Sequence, residues 1–500
     1  MSCVEDLAAF VCRSAYEDLS ETAREQLKIR VLDSLGCAAG AFEGEPVQIV
    51  RRQIGEFEPK GKCTLIGGGS AAPDSAAFYN GALVRYLDFN DAYLAKGETC
   101  HPSDNLAAIL SGAEYADRTG REVMTALAVA YQVQCRLSDV APLRDKGFDH
   151  TTQGSYSVAA GLSKVLELDK SRTANAIAIS GTAFNALRVT RTGRLSHWKG
   201  LAFPNMAACC TRVVFLAMNG ITGPLEVFEG DKGFMDAIAG VFEIDWLRED
   251  LERVKRTILK RFNAEIHSQA AIQGVLDLKQ RHGFCAADVE GIDIETFDVA
   301  FNIIGGGEEG DKRSSITTKE QADHSLPYVI AVAILDGDVM PAQYELARIG
   351  REDVQTLLRR VTITANPAYS RRFPEEMPCR IQIALRNGQT VVKESRDYPG
   401  FVSQPMSWEM VCSKFNLLTS RYAAEIKRKA LINAVADLEN TRIQELMQLL
   451  AGIRLSVTST PNHNRSTESE WADIVELSSQ ESFPASDSPP WNPPGAFQTR

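Results

Sequence analysis

Apolar residues recur every three to four positions through most of the first 255 residues, for example over 22–41, 71–87, 103–119 and 122–137. That period puts one face of a helix against a core, so residues 1–255 read as a helical domain. Thr22-Ala-Arg-Glu25 has the form of a capping box, in which hydroxyl and carboxylate each satisfy a free end amide. Beyond about residue 256 the period shortens: GIDIETFDVA (291–300) and RVTITAN (360–366) alternate apolar and polar positions. CRIQIAL-RNGQ-TVVKES (379–395) reads as a hairpin turning at Asn387-Gly388. HSLPYVIAVAILDG (324–337) between them predicts a buried helix, so 256–400 reads as an α+β domain. Helical periodicity resumes over 401–456, which lets the chain return to its first domain. Residues 457–500 are rich in Ser, Thr, Pro and Asn and are expected to be a disordered polar tail.

A chain of 500 residues with 44% hydrophobic content can bury a large core. Its net charge of −11 and pI near 5.4 argue against a nucleic-acid partner, which needs a concentrated basic face. A small polyanion remains open to it, because a local group of cations does not show in the total. Eleven scattered cysteines without a CxxC pair read as reduced intracellular thiols and weigh against an iron–sulfur cluster. The start of the chain lacks a basic, apolar secretory pattern, and no membrane partner is expected. A soluble, intracellular and most simply cytoplasmic protein is the expectation.

Candidate chemistry concentrates in LDFNDAYLAKGETCHPSDNLAA (87–108), with Asp88 and Asp91, then Lys96, then His101-Pro102. Read as helix–loop–helix, it lets Ser103 cap the second helix while His101 sits at an anion-favouring amide end as proton donor or acceptor. The plainer reading has the two aspartates capping the first helix or pairing with Lys96. His150 precedes an apolar helix and reads most simply as a cap. Arg188, Arg191, Arg194, His197 and Lys199 lie close together beside Trp198, either as a solvated basic face or as an anion clamp. Lys260, Arg261, Glu265 and His267 form a charged knot near the domain junction, where ligand clefts tend to form. Asp323-His324 could cap the helix that follows or orient a substrate, and the cap is the simpler reading. The runs Gly67–Gly69 and Gly305–Gly307 lack phosphate-loop spacing, and no HExxH, GxSxG or paired metal-ligand motif appears.

LDFND with HPSDNL, GFDH, RVTRTG with HWKG, LKRF-AE-HSQ, QADHSLPYVIAVAILDG and RDYPGF before PMSW, in that order, resemble the MmgE/PrpD family over roughly residues 3–450. That family includes 2-methylcitrate dehydratases and cis-aconitate decarboxylases. The resemblance implies a mainly α protein: a large all-helical domain made from both ends of the chain, a smaller α+β lid, and a homodimer. It also implies a cleft lined by His101, His150, Lys199 and Lys260 with Asp88 beside it, a tricarboxylate substrate, and no metal or organic cofactor. Asp91, Ser103, Arg188, Arg191 and His267 are then expected to bind substrate. Ala92 and Tyr93 stand where dehydratases of the family carry Thr and Trp, and Asn263 replaces a proline, which points to a different alkyl length.

Together these expectations describe the dehydration of 2-methylcitrate, as in propionate metabolism, or of a longer 2-alkylcitrate from secondary metabolism. Lysines and arginines neutralise the carboxylates, and His101 and His150 share the roles of base and acid. A decarboxylase acting on cis-aconitate, a dicarboxylate epimerase and a family member that has lost catalysis are the alternatives.

Overall fold

The computed structural model describes residues 2–57, 60–307 and 316–454. The polar tail expected over 457–500 lies outside the described residues. The helical periodicity of the first half becomes α1 (Cys3–Arg13), α2 (Glu21–Gly40), α3 (Glu45–Phe57), α4 (Pro73–Tyr86), α5 (Leu106–Tyr115), α6 (Gly120–Val140), α7 (Thr151–Val165), α8 (Lys170–Ala183) and α9 (Trp198–Met218). Local sequence explains several starts. Thr119 and Glu122 form a capping box on α6, the Asp169 carboxylate accepts from Arg172 N on α8, and Pro73 occupies the first turn of α4. The capping box expected at Thr22 is displaced: Ser20 is the cap of α2, its Oγ accepting from Ala23 N at 3.1 Å. From residue 219 to 265 the expected helices give way to turns, a short π-helical turn and 3-10 turns. Gly220 and Gly240 adopt positive φ there, which no helix accommodates.

Mainly helical holds for the molecule, but the first domain is not all-helical. Two short antiparallel pairs, Cys63–Thr64 with Ser70–Ala71 and Tyr93–Ala95 with Glu98–Cys100, lie within it. One continuous apolar core joins α1 through α9 to the helices Trp408–Thr419, Glu425–Ala436 and Ile443–Ala451 from the other end of the chain. Gly36 makes this closure possible, since a Cβ there would meet Phe415 Cα at 3.2 Å. By length and composition α9 could cross a membrane, but half of its apolar stretch is buried and it packs on α4, α7 and α8 as a core helix.

A second core is built around a four-stranded sheet in the order Val361–Ala365, Val289–Thr296, Cys379–Leu385, Thr390–Ser395. The first pair is parallel and the others are antiparallel. The hairpin turns at Asn387-Gly388 as the sequence predicts, with Gly388 at φ 86°. The strand expected over 291–300 ends at Thr296, and Asp298 begins a helix instead. Helices α10 (Gln269–His282) and Leu326–Asp336 pack on this sheet side of the molecule.

The two cores are tied together where the site lies. Ala92 and Ile258 exchange backbone hydrogen bonds of 2.9 and 2.8 Å. Gly400 O accepts from Leu259 N, and Tyr398 Oη donates to Leu259 O. Gly400 sits at φ 125°, and a Cβ there would strike Leu259 O at 2.3 Å, so the clamp requires glycine. Lys414, on the returning helix Trp408–Thr419, donates to Phe89 O and Lys260 O and pairs with Asp33 at 2.8 Å. The far end of the chain thereby fixes the segments that carry Asp88 and Lys260.

Candidate active site

Asp88 follows the last turn of α4 and adopts left-handed backbone at φ 54°, a conformation that costs a non-glycine residue on the order of 1 kcal/mol. Its carboxylate explains why the conformation is kept. Oδ1 lies 2.6 Å from Arg85 and 2.7 Å from Lys260 Nζ, and Oδ2 lies 3.1 Å from Lys199 Nζ. Lys260 also donates to the Asp88 carbonyl at 2.6 Å. Three cations from sequence positions 85, 199 and 260 thus share one buried carboxylate. Burial opposes its charge, but Arg85, Lys260 and Lys199 hold its acidity well below the usual carboxylate range. Lys260 is pushed down by burial despite Asp88.

Four histidines line the same cavity, and each presents Nδ1 to an oxygen. His101 Nδ1 lies 2.7 Å from the Asp91 carbonyl, which can only accept, so Nδ1 carries the proton and Nε2 the lone pair. His150 Nδ1 lies 3.5 Å from Asp149 Oδ1, His267 Nδ1 2.7 Å from Glu265 Oε1, and His324 Nδ1 2.6 Å from Asp323 Oδ1. The rings of His101 and His150 meet edge to face at 5.4 Å. Burial, with Arg85 and Lys260, pushes His101 well below the ordinary histidine value; burial pushes His150 down to about 3 and lowers His324. Burial works against the Glu265 charge, but His267 holds its acidity down at about 2. His101, His150 and His324 are therefore neutral imidazoles beside carboxylates that remain charged.

Two cap readings are overturned. His150 makes no side-chain cap on α7; Asp149 takes that part, accepting from Thr151 N at 3.2 Å. The cap of Leu326–Asp336 is Ser325, which leaves His324 to line the cavity with Asp323 behind its Nδ1. Asp323 Oδ1 pairs with Lys199 at 3.3 Å and Oδ2 with Lys319 at 2.7 Å.

The cavity is lined by six cations, Arg85, Arg144, Arg188, Arg191, Lys199 and Lys260, against two carboxylates, Asp88 and Glu265. His101, His150, Lys199, Lys260, Asp88, Arg188, Arg191 and His267 thus come together. Arg191 is partly committed, since its Nε pairs with Asp149 Oδ2 at 2.7 Å. Asp91 and Ser103 do not line the cavity, and Ser103 is not a cap. It lies within the 3-10 turn Pro102–Asn105 and gives both its N–H and its Oγ to Asp91 Oδ1, while Tyr131 Oη donates to Asp91 Oδ2. These bonds zip LDFND to HPSDN and so aim His101. Lys96 pairs with neither aspartate; it sits at the exposed tip of a hairpin where a plain loop was expected. Ala92 and Tyr93 also lie away from the cavity wall, Ala92 in the bridge to Ile258 and Tyr93 with its Oη donating to Asp139.

Arg85, Thr99, Arg144 and Ile303 are the lining residues that sequence reasoning missed, and His324 is one it had weighed but read as a cap. Arg85 had a signal: it is the lone cation of an otherwise apolar helix, and buried lone cations need a partner. Among the described residues, Asp88, Asp323 and His324 present donor atoms within 4.8 Å of one another, close enough for a metal ion. Their oxygens already hold Arg85, Lys199, Lys260 and Lys319, so a divalent cation would enter a cluster of like charge; the donor set does not fit one.

A helical core, a sheet-bearing second core and a cationic, histidine-lined cavity where they meet define a two-core enzyme fold. The chain belongs to the MmgE/PrpD family: the MmgE/PrpD N-terminal domain matches residues 5–247 and the MmgE/PrpD C-terminal domain matches residues 262–440. It is similar to the 2-methylcitrate dehydratase of Escherichia coli, 27% identical over 74% of this chain and 80% of that protein. A 2-methylcitrate dehydratase of Cupriavidus necator is 26% identical over 79% and 84% of the two chains. The alkylcitrate dehydratase phiI of a fungal species is 27% identical over 87% and 91%.

Proposed function

We propose that the chain is a hydro-lyase that removes water from a 2-alkylcitrate, the 2-methyl compound or a longer homologue, to give the corresponding alkyl-cis-aconitate without a metal. The observation that carries this reading is the pairing of a buried cationic cavity with His101, whose Nε2 is a lone pair held in place by the Asp91 carbonyl. Lys199, Lys260 and the lining arginines neutralise the three carboxylates. His101 takes the proton from the carbon next to a carboxylate, and the cations stabilise the enolate-like charge that develops. The C–H electron pair becomes the new C=C bond as the neighbouring C–O bond breaks. A proton completes the departing water; His267, its Nδ1 held 2.7 Å from Glu265, is placed to deliver it. His150 stays neutral against His101 and orients it.

Two further expectations belong to this reading. Leu187, Val189 and Trp198 expose apolar side chains on the segment that carries Arg188, Arg191 and Lys199, which supports assembly as a homodimer. All eleven cysteines are free thiols, which suits a reducing compartment such as the cytoplasm. The decisive experiment offers 2-methylcitrate and longer 2-alkylcitrates to chelator-treated protein, following the ultraviolet absorbance of the conjugated alkene and, with cis-aconitate, carbon dioxide release. Alkene formation without carbon dioxide is the expected result; carbon dioxide without elimination would make the chain a decarboxylase.

A further inference from the structure

A second, larger hollow lies beside the charged cavity and has the opposite character. Its apolar wall includes Leu87, Met340, Tyr344, Leu346, Leu417 and Leu418. Its charged members are five carboxylates, Glu43, Glu45, Glu320, Asp338 and Glu345, against Lys319 and Arg421. A narrow neck formed by Tyr86, His197, Lys199, Gly200, Lys319 and Glu320 lies between the two spaces, with room for about one water, so a chain passes it only as Lys319 swings aside. At its inner end the neck shares Arg85, Asp88 and Lys199 with the cavity; at its outer end it shares Tyr86, His197, Lys319 and Glu320 with the chamber. Gly200 keeps the neck clear of side-chain bulk, and the nearest atom to a Cβ there would be Tyr86 Cα at 3.7 Å. Lys319 spans the neck, its Nζ donating to Tyr86 O at 2.9 Å and to Asp323 Oδ2 at 2.7 Å.

The charge contrast sorts an amphiphile. A tricarboxylate is drawn to six cations inside and repelled by five carboxylates outside, whereas an alkyl chain is indifferent to both fields and gains by leaving water. The geometry points to a chain-binding subsite: the outer chamber takes the alkyl tail of a long-chain 2-alkylcitrate whose head occupies the cationic cavity, with the tail passing Gly200 and Lys319. This assignment rests on the tricarboxylate reading of the inner cavity. A methyl group ends before the neck, so the chamber matters only for longer chains.

The test uses 2-alkyltricarballylates with methyl, butyl and octyl chains, which lack the hydroxyl and cannot eliminate, titrated calorimetrically into the full chain. Each methylene that enters the apolar chamber is expected to tighten binding roughly threefold. Ala342, an exposed residue of the chamber wall, and Leu417, about half exposed, can be changed without disturbing either core. Ala342→Trp and Leu417→Asp should weaken the octyl compound by about tenfold or more and leave the methyl compound within about twofold. Turnover of the matching 2-alkylcitrates should follow the same order in KM. If octyl binds no tighter than methyl, or both variants weaken the two equally, the subsite is wrong while the tricarboxylate reading stands. If no member of the series binds, the reading of the inner cavity fails and the subsite falls with it.

Discussion

His101 and His267 line one cavity from two different cores, and each engages Nδ1 at 2.7 Å, yet their partners differ in kind. His101 faces the carbonyl of Asp91, a neutral acceptor, with Arg85 and Lys260 near enough to disfavour a second proton. His267 faces the carboxylate of Glu265, a charged acceptor. The comparison teaches that acid and base are assigned by what stands behind the ring, since the ring is the same. It also explains how one site can hold both roles at one pH.

Removing the anion that both sides depend on should have the largest effect. Asp88→Asn leaves Arg85, Lys199 and Lys260 facing one another, and we expect kcat/KM to fall by about a thousandfold or more, with a lowered Tm. Retention of more than about a tenth of wild-type kcat/KM would show that the shared carboxylate does not organise the cations.

A subtler change separates the two histidines. His101→Gln and His267→Gln should each lower kcat by about a hundredfold to ten-thousandfold, the range of a lost general base or acid. Glu265→Gln should act through His267 alone: it removes the oxygens that hold His267 N and Nδ1 at 2.7 Å, so kcat should fall while KM for the substrate stays within about threefold. An unchanged kcat would assign the acid to another group.

The smallest expected effect is on stability. His150 sits at about 3 in the folded protein, while an unfolded histidine titrates near 6.5. Between those values the unfolded chain binds more protons, so stability rises with pH and falls on acidification. The depressed carboxylates Asp88, Asp149, Asp323 and Glu265 act in the same direction lower down, their contribution being complete above about pH 4 and lost as pH falls toward 2. Burial pushes Asp104 up to about 7, which acts in the opposite direction over the same window, so the prediction is a difference: from pH 7 to 4.5 the urea midpoint of the wild type should fall relative to that of His150→Gln. An unchanged difference would mean that His150 is not held neutral by burial.

Much of this was legible along the chain. The helices through α9, the Asn387-Gly388 hairpin and the buried helix Leu326–Asp336 follow from period and turn chemistry, which are local. The misreadings share one cause. Ser103, His150 and Asp323-His324 all stand at helix starts, where a polar residue satisfies a cap rule whether or not its side chain is spent there. The amides went to Asp91, Asp149 and Ser325 instead. A signal was present in the repeat of Asp-His at 149–150 and 323–324, two acid–imidazole pairs whose spacing from any other motif gave no reason to group them.

By itself the sequence determined which elements form and which residue types can do chemistry, because helix period, capping and turn preference act over a few residues. It could not determine protonation or partnership. Lys199 and Lys260 are ordinary cations in sequence; what makes them a unit with Arg85 is one carboxylate reached across long stretches of chain. The exposure of Asp91 and Ser103 to substrate was likewise settled by packing, which zipped them to each other. Charge state and accessibility depend on burial and on neighbours far away in sequence, and only the folded chain supplies both.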